Sequence, residues 1–191
     1  VFECEPNQIA HNLDEISTDT KAYVGLLEKD IFKRLPNNVE HVYTKFPEGR
    51  IRFHQVELSG HQDAAHYEQA IKDSDMFLSN EAKDIMSQPE FGTSKAKETL
   101  ELVVLSVGDM GFRQAEDRQK IYNRARELGL EICPPEAGPA WRLQYQDQLK
   151  GEWILVGIEP ISGSGGHPRV FLVGRSVGGK RWLDADWGLP G

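Results

Sequence analysis

Aromatic and cationic side chains are concentrated in the last 51 residues of the sequence. All four tryptophans lie there, and the group consists of Trp141, Tyr145, Trp153, Trp182 and Trp187 with Arg142, Arg169, Arg175 and Arg181. Aromatic rings stack on apolar or planar groups, and guanidinium groups fix polar ones, so the two together on one surface favour recognition of a partner. We therefore predict a non-catalytic binding module for a protein, peptide or glycan, with a face formed by Trp141, Arg142, Tyr145, Arg169, Arg175 and Trp182. The alternative for most of these aromatic side chains is that they fill the core.

A second set of residues has the side chains needed for acid–base chemistry. Glu136 follows Pro134-Pro135 in a proline-rich corner, Asp184 and Asp186 are two apart in a predicted strand, and His54 lies in a predicted hairpin. If these residues converge in a cleft beside the corner, they predict a hydrolase-type enzyme, which is the alternative to a binding module. For each carboxylate, the competing interpretation is a solvated side chain. The sequence leaves open whether the protein is an enzyme.

Metal and cofactor motifs are weak. In "HQDAAH", His61 and His66 are five residues apart and would point to different sides of a helix, unlike an i, i+4 zinc pair. The glycine-rich "SGSGGHP" lies between two predicted strands and lacks the Lys-Ser/Thr ending of a phosphate-binding loop. We therefore expect no metal and no cofactor.

The two cysteines, Cys4 and Cys133, are too few for a disulfide scaffold. They favour two reduced thiols in a cytoplasmic protein over one long-range bridge in an exported one. Cys133 follows the end of a predicted helix and precedes two prolines, so its local sequence supplies nothing that activates a nucleophile. We expect it to be a packing residue.

Charge and hydropathy disfavour two classes of partner. The formal net charge is −8, which opposes non-specific binding to a phosphate backbone. No apolar run approaches the roughly 20 residues that span a bilayer, so we expect no membrane association. The length of 191 residues fits a single domain, with a subdivision into 1–98 and 99–191 as the alternative.

Hydrophobic periodicity predicts the elements that must position these residues. Helices are expected over 62–72, 80–87 (capped by Ser79 or Asn80) and 115–128, and over 21–34, where a short strand before a helix is the alternative. Residues 99–107 are typical of a central strand covered on both faces. Four strands are expected at the end: "WRLQYQ", "EWILVGIEPI", "RVFLVGRS" and "KRWLDADW". The fold class is α+β, with a mainly antiparallel sheet and three to four helices packed on one side.

The second arm of the predicted hairpin changes parity. Ile51 and Phe53 are at odd positions, whereas Val56 and Leu58 are at even ones. Because strand side chains alternate between faces, a straight strand cannot direct all four into a single core. We therefore predict a β-bulge near His54.

Overall fold

The computed structural model describes residues 29–34, 52–60, 63–113 and 115–187. The helices are α1 (Ala64–Asp73), α2 (Asn80–Met86), α3 (Arg118–Glu127) and α4 (Ala137–Gln144). The strands are β1 (Lys29–Arg34), β2 (Arg52–Leu58), β3 (Phe77–Leu78), β4 (Glu98–Ser106), β5 (Leu130–Glu131), β6 (Trp153–Val156), β7 (Ile161–Ser162), β8 (Pro168–Arg175) and β9 (Arg181–Trp187). The predicted α+β class is confirmed. The start of the predicted helix at 21–28, the first arm and turn of the predicted hairpin, Ile51, His61 and Cys4 lie outside the described residues.

The described strands all belong to one mixed sheet. Its main order is β2-β4-β1-β6-β8-β9-β3, with β5 beside β1 and β7 beside β8. The pairs β1–β6 and β3–β9 are parallel, and the other pairs between described strands are antiparallel. Along this order, β2 lies at one end and β3 at the other.

Helices cover both faces of the sheet. α1, α2 and α4 pack over one face in a large core, whereas α3 packs over the opposite face in a smaller one. The central strand β4 serves both: Leu100 and Leu102 belong to the large core, and Val103 and Leu105 belong to the small one. The prediction that the helices share one side therefore holds for three of the four described helices, and α3 is the exception.

The second core also explains why β2 needs no bulge. The register between β2 and β4 is continuous from Arg52 to Leu58, so the predicted bulge near His54 is wrong. Val56 and Leu58 face the large core, while Phe53 packs against the small one. The change of parity reflects two covered faces of a straight strand, not a bend in the strand.

Two further predictions about elements are wrong. Residues 29–34, expected within a helix, form the strand β1. "WRLQYQ", expected to be a strand, lies largely in α4, which begins shortly after the proline pair and presents Ala137, Ala140 and Trp141 to the large core. The single strand expected at "EWILVGIEPI" is divided into β6 and β7, so four described strands still follow α4.

The helix starts follow from local capping. The side chains of Asp63, Ser79 and Asp117 each accept a hydrogen bond from a backbone N–H in the first turn of α1, α2 and α3. Such caps satisfy amides that have no partner within the helix. Ser79 is thus one of the two N-caps that the sequence predicted for α2.

Candidate functional site

A groove lies on the outer face of the C-terminal strands, opposite the face covered by α1, α2 and α4. Its volume is about 450 Å³, and it is lined by residues of β6, β8, β9 and the β8–β9 turn. The lining residues are Gly151, Trp153, Leu172, Arg175, Ser176, Val177, Trp182 and Asp186. We call it the tryptophan groove.

Two tryptophans and a glycine form one row across the floor of this groove. Trp153 on β6 pairs with Gly174 on β8, and Gly174 pairs with Trp182 on β9. Residues directly opposite one another project to the same face, so both indoles flank the glycine. An ideal Cβ at Gly174 would lie 2.0 Å from Cζ2 of Trp182, which means that this indole lies across the bare backbone of Gly174. The glycine therefore makes room for a flat, partly exposed aromatic surface.

The rim of the groove carries opposite charges. The Arg175 guanidinium donates hydrogen bonds to the backbone carbonyls of Gln148 (2.7 Å) and Gly179 (3.2 Å). These neutral acceptors hold the side chain in place without neutralising its charge. Asp186 lines the groove from β9 and is exposed. A ligand in the groove would therefore meet an aromatic floor and both a fixed cation and a carboxylate at the edge.

Exposed large apolar side chains occur near the tryptophan groove. Val177 (65% exposed) lines the groove, Leu149 (53%) is two residues from the lining residue Gly151, and Phe77 (54%) pairs with Trp182. Exposed apolar groups beside a groove are a feature of interaction sites.

Two of the six predicted binding residues, Arg175 and Trp182, line the tryptophan groove. Arg169 does not. It pairs with Trp187 near the other end of β8, six residues from Arg175. The groove therefore lies at the Arg175 end of β8, away from Arg169.

The other three predicted binding residues are inside the protein. Trp141, Arg142 and Tyr145 are buried (1%, 0% and 4% exposed), so their placement on an exposed face is corrected. The reason is that this segment forms the helix α4 and its C-terminal end, and not a strand. The helix packs the segment against the large core.

Arg142 supports the groove from inside the protein. Its guanidinium donates hydrogen bonds to the carbonyl of Gly174 (2.9 Å), the carbonyl of Tyr145 and the side chain of Gln148. Burial, and then the neighbouring Arg181, lower the pKa of Arg142 to about 10, so it stays charged at neutral pH. A buried charge needs such a set of acceptors. Arg142 therefore fixes the backbone on whose outer side the Trp182 indole lies.

His54 lies in a different environment, beside the C-terminal end of α4. Its ring contacts Tyr145 (4.5 Å between centroids) and Trp141 (5.3 Å), in both cases edge to face. Burial, and then the charge of Arg52, lower the pKa of His54. The Tyr145 hydroxyl donates to the buried carboxylate of Glu152, which also pairs with Arg52. These contacts describe a neutral histidine packed beside a hydrogen-bonded polar network.

Glu136 is a buried carboxylate, which excludes the competing interpretation of a solvated loop residue. It is 0% exposed, and it accepts hydrogen bonds from the Tyr67 hydroxyl (2.6 Å) and from the backbone N–H of Ser94 (2.6 Å). Burial, and then the hydrogen bond to Glu136, raise the pKa of Tyr67. The carboxylate ties α4 to α1 and to the loop before β4.

The four acid–base candidates do not converge. Glu136 lies at the start of α4, whereas His54 contacts residues nearer the end of that helix. Asp184 and Asp186 alternate along β9 with two residues of the large core, so these aspartates point to the opposite side of the sheet. The cleft that a hydrolase mechanism would need is not formed by these side chains.

Neither a metal site nor a membrane span occurs among the described residues. No group of three or more His, Cys, Asp or Glu side chains within them could hold a metal ion. None of the helices in this part of the chain has the length and apolar character to cross a bilayer. Cys133 is buried in the large core, and its N–H donates to the carbonyl of Gly157.

Sequence reasoning missed several residues of the groove. Trp153 belongs to the aromatic group but not to the predicted binding face, and Leu172, Gly174 and Val177 carry no prediction. One signal is present: a glycine inside the apolar run "RVFLVGRS" indicates close approach of another group to the backbone.

Comparisons with family models, curated proteins and solved structures found no match.

Proposed function

We propose that the protein is a non-catalytic binding module that captures a polypeptide segment in the tryptophan groove. The observation that carries the proposal is the row Trp153–Gly174–Trp182, in which the missing side chain of Gly174 lets the Trp182 indole lie over the backbone of β8. A flat indole that is only partly covered provides contact area at low entropic cost, since few torsions have to be fixed on binding.

The surroundings of the row favour a polypeptide over a glycan. Val177, Leu149 and Phe77 add exposed apolar surface, which suits the side chains of a partner protein. At the rim, Arg175 can donate and Asp186 can accept hydrogen bonds, where a peptide backbone or polar side chain would lie. A glycan would use the indoles in the same way but gain less from the aliphatic groups.

A random-peptide display selection on the whole protein tests this proposal. We expect enrichment of peptides with aromatic or aliphatic residues on the wild type and loss of that enrichment on Trp182→Ala. Trp187→Ala is the matched control, because Trp187 is an exposed tryptophan (51%) of the same strand that does not line the groove. Equal enrichment on wild type and Trp182→Ala would contradict the proposal, and binding of a glycan array with no peptide enrichment would replace the partner class.

The cysteine content and the acidic charge support two further parts of this proposal. Two cysteines, one of them buried, suit a reducing compartment, so we propose a cytoplasmic location. The net charge of −8 supports a partner other than bulk nucleic acid.

A further inference from the structure

A second cavity lies at the end of the sheet, beside β3. Its volume is about 450 Å³, and it lies between α1, β3, α2 and the β8–β9 turn. Three lysines line it, Lys72 from α1, Lys83 from α2 and Lys180 from the turn, and its apolar lining includes Met76 and Phe77. We call it the lysine pocket.

The charge of the lysine pocket is opposite to that of the chain. The chain carries a net charge of −8, yet three exposed cations face this one concavity. Glu68 also lines the pocket, and Asp75 lies 3.6 Å from Lys180 with its side chain 99% exposed. An ion pair that exposed to water leaves most of the lysine's field available. The pocket therefore stays cationic and suits a carboxylate-bearing ligand.

The lysine pocket and the tryptophan groove are neighbours. Phe77, in the pocket, pairs with Trp182, in the groove, so one strand spacing of about 4.8 Å separates their backbones. The β8–β9 turn joins them as well, since Val177 lines the groove and Lys180 lines the pocket. Along the sheet, β6 and β3 are three strand spacings apart, about 14 Å, which an extended peptide covers in about four to five residues. The pocket lies at the β3 edge, where α1 and α2 cover the other face, so a peptide bound to both sites passes around β3.

We propose that the partner segment is acidic: an apolar residue binds the tryptophan groove, and Asp or Glu side chains about three to five residues away bind the lysine pocket. This inference rests on the proposed function, because the groove supplies the anchor. Charge complementarity gives the segment its acidic character and places its acidic residues at the lysine pocket.

The same peptide display selection, repeated on lysine variants, tests the inference. In the variant Lys72→Gln/Lys83→Gln/Lys180→Gln the pocket loses its positive charge. We expect the wild type to select peptides that combine an apolar residue with Asp or Glu about three to five positions away, and the triple variant to keep the apolar preference and lose the acidic one. The control is Lys95→Gln/Lys97→Gln, two exposed lysines just before β4 that do not line the pocket.

The contribution of charge to binding is measured from the affinities of a selected peptide and of the same peptide with Glu replaced by Gln. One exposed ion pair changes an affinity by a factor of roughly 1.4 to 5, so loss of three lysines corresponds to a weakening of about threefold to a hundredfold, smaller at high salt. Selected peptides without acidic residues, or equal affinity for the triple variant, would overturn this inference while leaving the groove proposal intact. Absence of any enrichment that depends on Trp182 would overturn both.

Discussion

Substitution of Gly174 by alanine tests the geometry of the groove floor. The new Cβ would lie 2.0, 2.2 and 2.4 Å from Cζ2, Cε2 and Cη2 of Trp182, whereas carbon atoms in contact are about 3.5–4 Å apart. All three atoms belong to one rigid ring system, so the whole indole must move by roughly 1.5–2 Å. We expect overpacking to cost about 1–3 kcal/mol, partly offset by about 0.5–1 kcal/mol from replacing glycine within a strand.

A double-mutant cycle isolates this clash from other effects of the alanine. In the background Trp182→Ala the obstructing ring is absent, so Gly174→Ala should be neutral or stabilising there. The coupling between the two positions should then reach about 1–3 kcal/mol by urea unfolding, well above the roughly 0.5 kcal/mol expected of independent sites. Acrylamide should also quench tryptophan fluorescence more strongly in Gly174→Ala than in the wild type, because the indole is displaced. Additive effects and unchanged quenching would refute the arrangement of Trp182 over Gly174.

Three further predictions concern the interior. Trp141→Ala should lower the free energy of unfolding by about 3–5 kcal/mol, because Trp141 is a buried core residue; a change below about 1 kcal/mol in urea unfolding would contradict that role. Glu136→Ala should cost about 2–5 kcal/mol by leaving the Tyr67 hydroxyl and a backbone N–H unpaired, and Glu136→Gln should cost less because one acceptor oxygen remains; equal losses would argue against the hydrogen bonds. Because the pKa of His54 is lowered, the folded state binds a proton less readily than the unfolded state. The stability that neutral His54 contributes is therefore present above the unfolded pKa of 6.5 and is lost as the pH falls through the lower folded pKa. The free energy of unfolding should fall by at most about 1.4 kcal/mol per pH unit from this group. His54→Gln should remove that part of the slope on acidification from about pH 7, with His66→Gln as the exposed control, and an unaltered slope in His54→Gln would exclude the effect.

The sequence predicts those parts of the fold that depend on local patterns. α1, α2, α3 and the central strand β4 follow from periodicity and capping, and the sheet at the end follows from turns and β-branched residues. Partners distant in sequence decide the rest. Residues 29–34 become a strand because β4 and β6 pair with them on either side, and no local signal contains that information.

In the candidate site, too, local sequence predicts some features and long-range packing decides the others. Composition predicts an aromatic and arginine-rich surface, and Trp182 and Arg175 do line the tryptophan groove. Trp141 and Arg142 have the same side-chain chemistry, but they lie in α4, which turns them inwards. Which member of such a group faces solvent depends on the type of element that carries it. The proline pair predicts a corner leading to a strand, whereas it precedes the first turn of a helix.

The claim that the tryptophan groove binds the partner is tested most directly by the indole N–H resonances of the ¹⁵N-labelled protein. The four tryptophans give four such signals, and single Trp→Phe variants assign them. On titration with a peptide obtained by display selection, we predict that the signals of Trp153 and Trp182 shift together and saturate, while the signal of the buried Trp141 stays in place. Saturable binding of the peptide with both groove signals unmoved would contradict the account.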